Sequence, residues 1–291
     1  MGFAPKLIVP KRFSSIFFTM GQLLPTHRLL HSEHGGPFQP TIVQAIRLLS
    51  NPWFREDQPN NAEMSNFANK PDYSLSSPDM SDPFSTPHLT YSTDGTDTFP
   101  APSAYMSRKY SWVHVFPEGF VHQHPRKTMR YFKWGVARLI LEPDQCPDIV
   151  PMWIEGNEQV YHEARRWLRP IPRVGHKLGI YFGENVGGEK DSIFLELRRK
   201  WQALVERDKQ KRNIPERQNE LGILSEEMKY GKEATQLRKE CALQVRHAIL
   251  RLRHQRGLSD EDPKNSDAST WRKHGLTQEG PIADGSWVKD V

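Results

Sequence analysis

Cysteine is nearly absent. The 291 residues contain two, Cys146 and Cys241, and no pair at metal-binding spacing. This excludes a disulfide scaffold and a cysteine-rich zinc site. No run of about 18 apolar residues occurs, which excludes a multi-span membrane protein. The stretch Phe13 to His27 (FSSIFFTMGQLLPTH) holds no Asp, Glu, Lys or Arg, but its 15 residues are too few to cross a bilayer. It reads as a buried core segment or an interfacial one. No sequence period recurs, so repeat arrays are excluded. Apolar residues are also scarce, at 36%, below the usual share for a compact domain. Proline is plentiful, with 23 residues, and basic charge exceeds acidic charge by 40 to 35. The length suits one domain of about 200 residues plus additional material.

That additional material is visible as a change of composition. Residues 56–104 hold seven prolines, eight acidic residues and one basic residue, Lys70. Their aromatics, Phe67, Tyr73, Phe84, Tyr91 and Phe99, follow no period of 2 or 3.6. Such a segment cannot bury enough apolar surface to offset the entropy of ordering it, so a disordered insertion is expected. The tail 259–291, with isolated Trp271 and Trp287, reads the same way. Outside these two segments stand 35 basic and 20 acidic residues. The mild overall charge of +5 therefore conceals a strongly basic remainder suited to an anionic partner.

The remainder is patterned. Ile42, Ala45, Ile46 and Leu49 recur at helical spacing within Thr41 to Leu49. Trp112 to Phe116 (WVHVF) reads as a strand stopped by Pro117 and Gly119. Lys133 to Glu142 reads as a short helix, and Ile149 to Ile154 and Leu178 to Phe182 as buried strands. Asp191 is a plausible N-cap for a helix striped by Ile193, Phe194, Leu197, Trp201, Leu204 and Val205. A second helix carries Leu237, Cys241, Val245, Ala248, Ile249 and Leu252 and is closed by Gly257. Strands alternating with helices predict a mixed α/β fold with helices added at the C-terminal end.

Chemistry concentrates between Trp112 and Ile140. Phe116-Pro117-Glu118-Gly119 places a carboxylate on a turn, between a residue that ends the ladder and one that tolerates positive φ. A carboxylate so placed can accept hydrogen bonds from the hydroxyls of a glycerol unit. Arg126, Lys127, Arg130, Lys133 and Arg138 follow, and suit a phosphate. The predicted ligand class is a hydroxyl-bearing phosphate ester. An ordinary strand-turn with a solvated basic face fits the same residues.

Phe116-Pro117-Glu118-Gly119 resembles the third sequence block of the glycerolipid acyltransferases. The continuation from Arg130 to Ile140 (RYFKWGVARLI) is more specific and resembles the tafazzin family. Ile149-Val150-Pro151-Met152-Trp153 resembles the fourth block, and Phe17 to Arg28 resembles the segment leading to the second block and its arginine. Gly36-Pro37-Phe38-Gln39 and the helix after it add to the likeness. The resemblance covers about residues 10–52 and 108–185. It implies a glycerolipid-acyltransferase-like mixed sheet flanked by helices, N-terminally incomplete. The implied organisation is a partial acyltransferase domain at 1–55, an insertion at 56–107, the domain continued at 108–188, C-terminal helices at 189–258 and a tail at 259–291. The implied activity is CoA-independent phospholipid–lysophospholipid transacylation, remodelling cardiolipin from a phosphatidylcholine-type donor with monolysocardiolipin as acceptor. No cofactor or metal is implied. The implied setting is peripheral attachment to a mitochondrial membrane facing the intermembrane space. Substrate-binding roles fall on Arg28, Phe116, Pro117, Glu118, Gly119, Lys133 and Arg138.

One family element is missing. The first block is a His followed five residues later by Asp, and it supplies the general base. None of the 12 histidines here has an Asp at that distance. His88 with Asp94 and His254 with Asp260 miss by one residue. The sequence therefore offers no catalytic residue of that kind, and an N-terminally incomplete chain is expected. His27, His31 and His34, beside Arg28, offer a less favoured substitute. The alternatives are a catalytically inactive lipid-binding protein on a mitochondrial membrane and, more remotely, a basic helical interaction or nucleic-acid-binding protein. The last draws on Arg246, Arg251, Arg253 and Arg256, a charged face that usually means solvated helix surface. No zinc pattern, RNA-binding aromatic block or sustained heptad supports it, and nucleic acid is not an expected partner.

Overall fold

The computed structural model describes residues 3–5, 23–28, 32–50, 90–100, 111–165, 171–188, 192–213, 221–272, 280–281 and 286–289. The fold is mixed α/β and divides into two compact units, each assembled from several stretches of chain. One comprises 1–115, 138–145 and 203–234, and the other 116–137, 146–202 and 235–291.

In the first unit Phe3–Pro5 pairs in parallel with Leu24–Thr26, and Thr90–Tyr91 pairs antiparallel with Phe99–Pro100. Helix Pro40–Leu49 opens on a proline, whose fixed φ suits the first helical position. Its face of Ile42, Ala45 and Ile46 is buried with Leu24, Leu48, Tyr91, Phe99 and Leu139 in one apolar cluster. Thr41 Oγ1 donates to the Pro25 carbonyl, tying the helix to the strand before it.

The second unit holds a ribbon of Met152–Glu155 against Gly179–Phe182, antiparallel, with Met152 opposite Phe182 and Ile154 opposite Ile180. A separate sheet joins Val121–Gln123 to Trp287–Lys289, which also pairs with Gly280–Pro281. The stripe Phe194, Leu197 and Trp201 of helix Ile193–Arg212 is buried. So are Leu237, Cys241, Val245, Ala248 and Leu252 of helix Lys232–Gln255. Gly257, at φ 73°, closes the latter as expected. Ser192 precedes the former, with its Oγ accepting from the Phe194 N–H at 3.3 Å and donating to the Val186 carbonyl at 2.6 Å. The expected cap, Asp191, lies outside the described residues.

Three expectations meet a different structure. Trp112 to Phe116 forms no strand, only an isolated bridge at His114. Val113 and Val115 nevertheless pack on the first unit's core, and Trp112 and Phe116 are exposed. The alternation is real, but it marks two faces and not a hydrogen-bonding partner. The proline-rich insertion is not structureless throughout: Tyr91 and Phe99 meet across a hairpin at 5.7 Å and both are buried. Its residues 56–89 and 101–104 lie outside the described residues. The tail also folds. Pro263–Ser266 is a 3-10 turn, Ala268–Arg272 is helical, and Trp287–Lys289 is a strand. Trp271 and Val288 are buried.

The arginines of the last long helix explain the tail's order. Arg246 donates to the carbonyls of Arg130 and Met129, both at 3.0 Å. Arg253 donates to those of Lys127 and Arg126 at 3.1 and 3.0 Å. Glu261, in the tail, accepts from Arg246 at 2.5 Å, faces Arg253 at 3.4 Å and accepts from the Met129 N–H at 2.7 Å. Arg256 pairs with Glu155 at 3.5 Å and lies over the Tyr181 ring at 3.6 Å. The face read as solvated is therefore largely spent on protein groups, and the nucleic-acid alternative loses three of its four arginines. Buried guanidinium groups need such partners, because desolvating an uncompensated charge is costly.

Candidate functional site around the Glu118 turn

Phe116 to Gly119 forms the expected turn, closed by the Gly119 N–H on the Phe116 carbonyl at 3.0 Å. Gly119 has φ 69°, the left-handed region that other residues enter at a cost. A Cβ there would stand 2.8 Å from the Lys133 side chain. Gly119→Ala is expected to cost about 1–3 kcal/mol, read by urea denaturation, and to displace Lys133. The turn is tied to the segment ahead of helix Gly135–Leu141 by the Lys133 N–H, which donates to the Pro117 carbonyl at 2.8 Å. The Glu118 carboxylate is held by one oxygen: Oε2 accepts from the Arg130 N–H at 3.0 Å. Among the described residues Oε1 has no protein hydrogen-bond donor.

Two cations of the same segment stack on rings. The Arg130 guanidinium lies over Phe120 at 4.6 Å and over Trp271 at 4.7 Å. The Lys133 ammonium lies over Phe120 at 3.9 Å. Such cation–π contacts hold long side chains in place. His122 Nδ1 is 3.6 Å from Glu118 Oε2. The sequence reading missed His122, Phe120 and Trp271. The only local signal was the spacing of four between Glu118 and His122.

The predicted residues divide between the two units. Phe116, Pro117, Glu118, Gly119 and Lys133 come together in the second unit. Arg28 and Arg138 belong to the first. The Arg138 guanidinium is buried and makes four bonds: two to Glu142 at 2.5 and 2.6 Å, one to the Pro37 carbonyl at 2.8 Å and one to the Gly222 carbonyl at 2.7 Å. That geometry is a structural clamp and differs from the phosphate contact expected of it.

The histidines weighed as a substitute base are also placed. His31 lies outside the described residues. His27 Nε2 is 2.7 Å from Thr93 Oγ1, and that hydroxyl bonds Asp97. His27, Asp94 and Asp97 bring ligand-type atoms within 4.8 Å of one another. The two carboxylates are already engaged by the turn Ser92 to Asp97: Asp97 accepts from Ser92 Oγ and the Thr93 N–H, and Asp94 from the Thr96 and Asp97 N–H groups. This is the bonding of a turn, and we assign it no metal. His254 meets Asp260 at 3.0 Å on the surface, where an ion pair contributes little. Neither cysteine is poised as a nucleophile, since burial pushes both thiols above their ordinary range.

No protein-family model matches the chain. The tafazzin of Saccharomyces cerevisiae is 33% identical over 283 residues, 94% of this chain. The chain is thus similar to a tafazzin over nearly its whole length. It spans 63% of the yeast tafazzin's length. A Dictyostelium discoideum tafazzin is 39% identical over 79 residues, 26% of each chain. An N-acylphosphatidylethanolamine synthase of Arabidopsis thaliana is 39% identical over 66 residues, 21% of this chain and 23% of that protein.

Proposed function

We propose that this chain contributes the substrate-positioning half of a CoA-independent phospholipid–lysophospholipid transacylase. On this reading the acceptor is monolysocardiolipin, the donor is a phosphatidylcholine-type phospholipid, and the site is a mitochondrial membrane facing the intermembrane space. The observation that carries the reading is the Glu118 turn. Its carboxylate is anchored through Oε2 and keeps Oε1 for a ligand hydroxyl, with the Lys133 side chain against Gly119 of the same turn for the phosphate charge. Arg28 lies in the other unit and carries no part of this proposal. Arg138 is withdrawn from the lipid contacts because its guanidinium is committed to protein. Attack of the acceptor hydroxyl on the donor ester needs a base to take the proton. This chain carries no His with Asp five residues on.

Peripheral membrane binding is part of the proposal. Among the described residues no helix is long and apolar enough to cross a membrane. The ribbon offers one apolar face instead. Pairing puts Met152 and Ile154 on the same side as Phe182 and Ile180, and Phe182 is 62% exposed. Arg173, His176 and Lys177 are exposed nearby in sequence, and basic groups favour an anionic surface.

Co-sedimentation with vesicles of phosphatidylcholine and cardiolipin tests this, beside RNA at matched salt. The chain is expected to bind the vesicles, and Ile180→Ser with Phe182→Ser to weaken that binding about tenfold or more. Preference for RNA, or equal vesicle binding by the double variant, would contradict it. Soluble lysophosphatidylglycerol, a hydroxyl-bearing acceptor analogue, tests the turn: Glu118→Gln is expected to bind it more weakly than the parent chain.

A further inference from the structure

His122 is the most unusual polar group near the turn. Its side chain is 1% exposed, and among the described residues neither ring nitrogen has a hydrogen-bond partner. Buried polar groups are nearly always satisfied, so an orphaned imidazole needs an explanation. Packing alone does not provide one, because an apolar side chain would fill the same space without the desolvation penalty. The ring is located by its surroundings. Its strand position pairs with Val288, the Trp271 ring meets it edge-on at 5.3 Å, and the His124 ring lies 5.9 Å away.

The acidic group facing the imidazole is Glu118, with Nδ1 to Oε2 at 3.6 Å. Closing that gap to the usual 2.9 Å of an N–H···O bond needs a shift of about 0.7 Å. Oε2 already accepts from the Arg130 N–H, so a bond from Nδ1 would fix the carboxylate from a second direction. The other charged groups of this neighbourhood, Arg130 and Lys133, are held over Phe120, with Arg130 also over Trp271. Glu118 is 25% exposed while His122 is sealed. The imidazole is therefore placed to act on the carboxylate and not on a ligand.

We propose that His122 is a positioning residue for Glu118: its Nδ1–H holds Oε2 and so aims Oε1 at the hydroxyl of a lysophospholipid. This rests on the reading of Glu118 as the hydroxyl acceptor. Two measurements on the full chain separate the two ideas. The first follows the His122 ring nitrogens by NMR at one fixed pH, assigned with His122→Gln. Glu118→Gln is expected to move the Nδ1 resonance, since a hydrogen bond to a carboxylate is stronger than one to an amide oxygen. An unmoved Nδ1 resonance overturns the pair.

The second measurement is binding of lysophosphatidylglycerol, with thermal unfolding alongside. His122→Leu is expected to unfold no earlier than the parent chain yet to bind the lipid about 3- to 10-fold more weakly. His122→Gln, whose amide can still donate, restores most of the affinity. His122→Leu adds little to Glu118→Gln in the double variant. Full affinity in His122→Leu, or multiplied losses in the double variant, overturns the positioning role. Full affinity in Glu118→Gln overturns the hydroxyl-acceptor reading and with it the lipid role of His122, while the Nδ1 resonance still decides whether the two side chains are paired.

Discussion

Glu261→Ala is expected to lower the unfolding free energy by about 3–5 kcal/mol, the usual result of breaking a buried pair from one side. The Glu261 side chain is 3% exposed and sits between two buried arginines, at 2.5 Å from Arg246 and 3.4 Å from Arg253. Its removal leaves two guanidinium groups without their counter-charge and the Met129 N–H without its acceptor. The damage reaches the site. Arg246 also holds the Arg130 carbonyl, and the Arg130 N–H holds Glu118. Loosening residues 126–130 is therefore expected to weaken lysophospholipid binding as well. Urea denaturation measures the stability change, with Glu261→Gln falling between the two forms because its amide can keep one hydrogen bond. A loss below about 1 kcal/mol would mean that the cluster behaves like an ordinary surface ion pair.

The second large effect concerns rate. A positioned general base contributes about 10²–10⁴-fold, and these 291 residues hold no His with Asp five residues downstream. A form of the protein joined, ahead of residue 1, to a tafazzin His-x4-Asp segment is expected to transfer acyl groups at least about 100-fold faster than the present chain. Equal rates would mean that a group within this chain already takes the proton. His27, linked through Thr93 to Asp97, would then be the first side chain to replace.

Local pattern and long-range partnership explain what the sequence revealed. Helices Pro40–Leu49 and Ile193–Arg212 were legible because apolar spacing records which face is buried; the strands at 152–155 and 179–182 form as expected but are not the buried strands the sequence predicts, since Ile180 and Phe182 are exposed. The Phe116 to Gly119 turn was legible because proline and glycine have narrow conformational meanings. Glu261 was not, since its partners Met129 and Arg246 are 132 and 15 residues away and its own neighbours are polar. Tyr91 and Phe99 looked isolated for the same reason: their apolar companions, Ile42, Ile46 and Leu139, come from distant chain. Arg138 was misleading in the opposite sense. Arginine suits a phosphate and a buried carboxylate equally well, and only the position of Glu142 separates the two uses.

The most direct test of the substrate-positioning claim is acyl transfer from labelled phosphatidylcholine to monolysocardiolipin, without CoA, by the form carrying the His-x4-Asp segment. Transfer is predicted, together with its loss in Glu118→Gln. Transfer that Glu118→Gln leaves intact, or that appears only when acyl-CoA is the donor, would contradict the account.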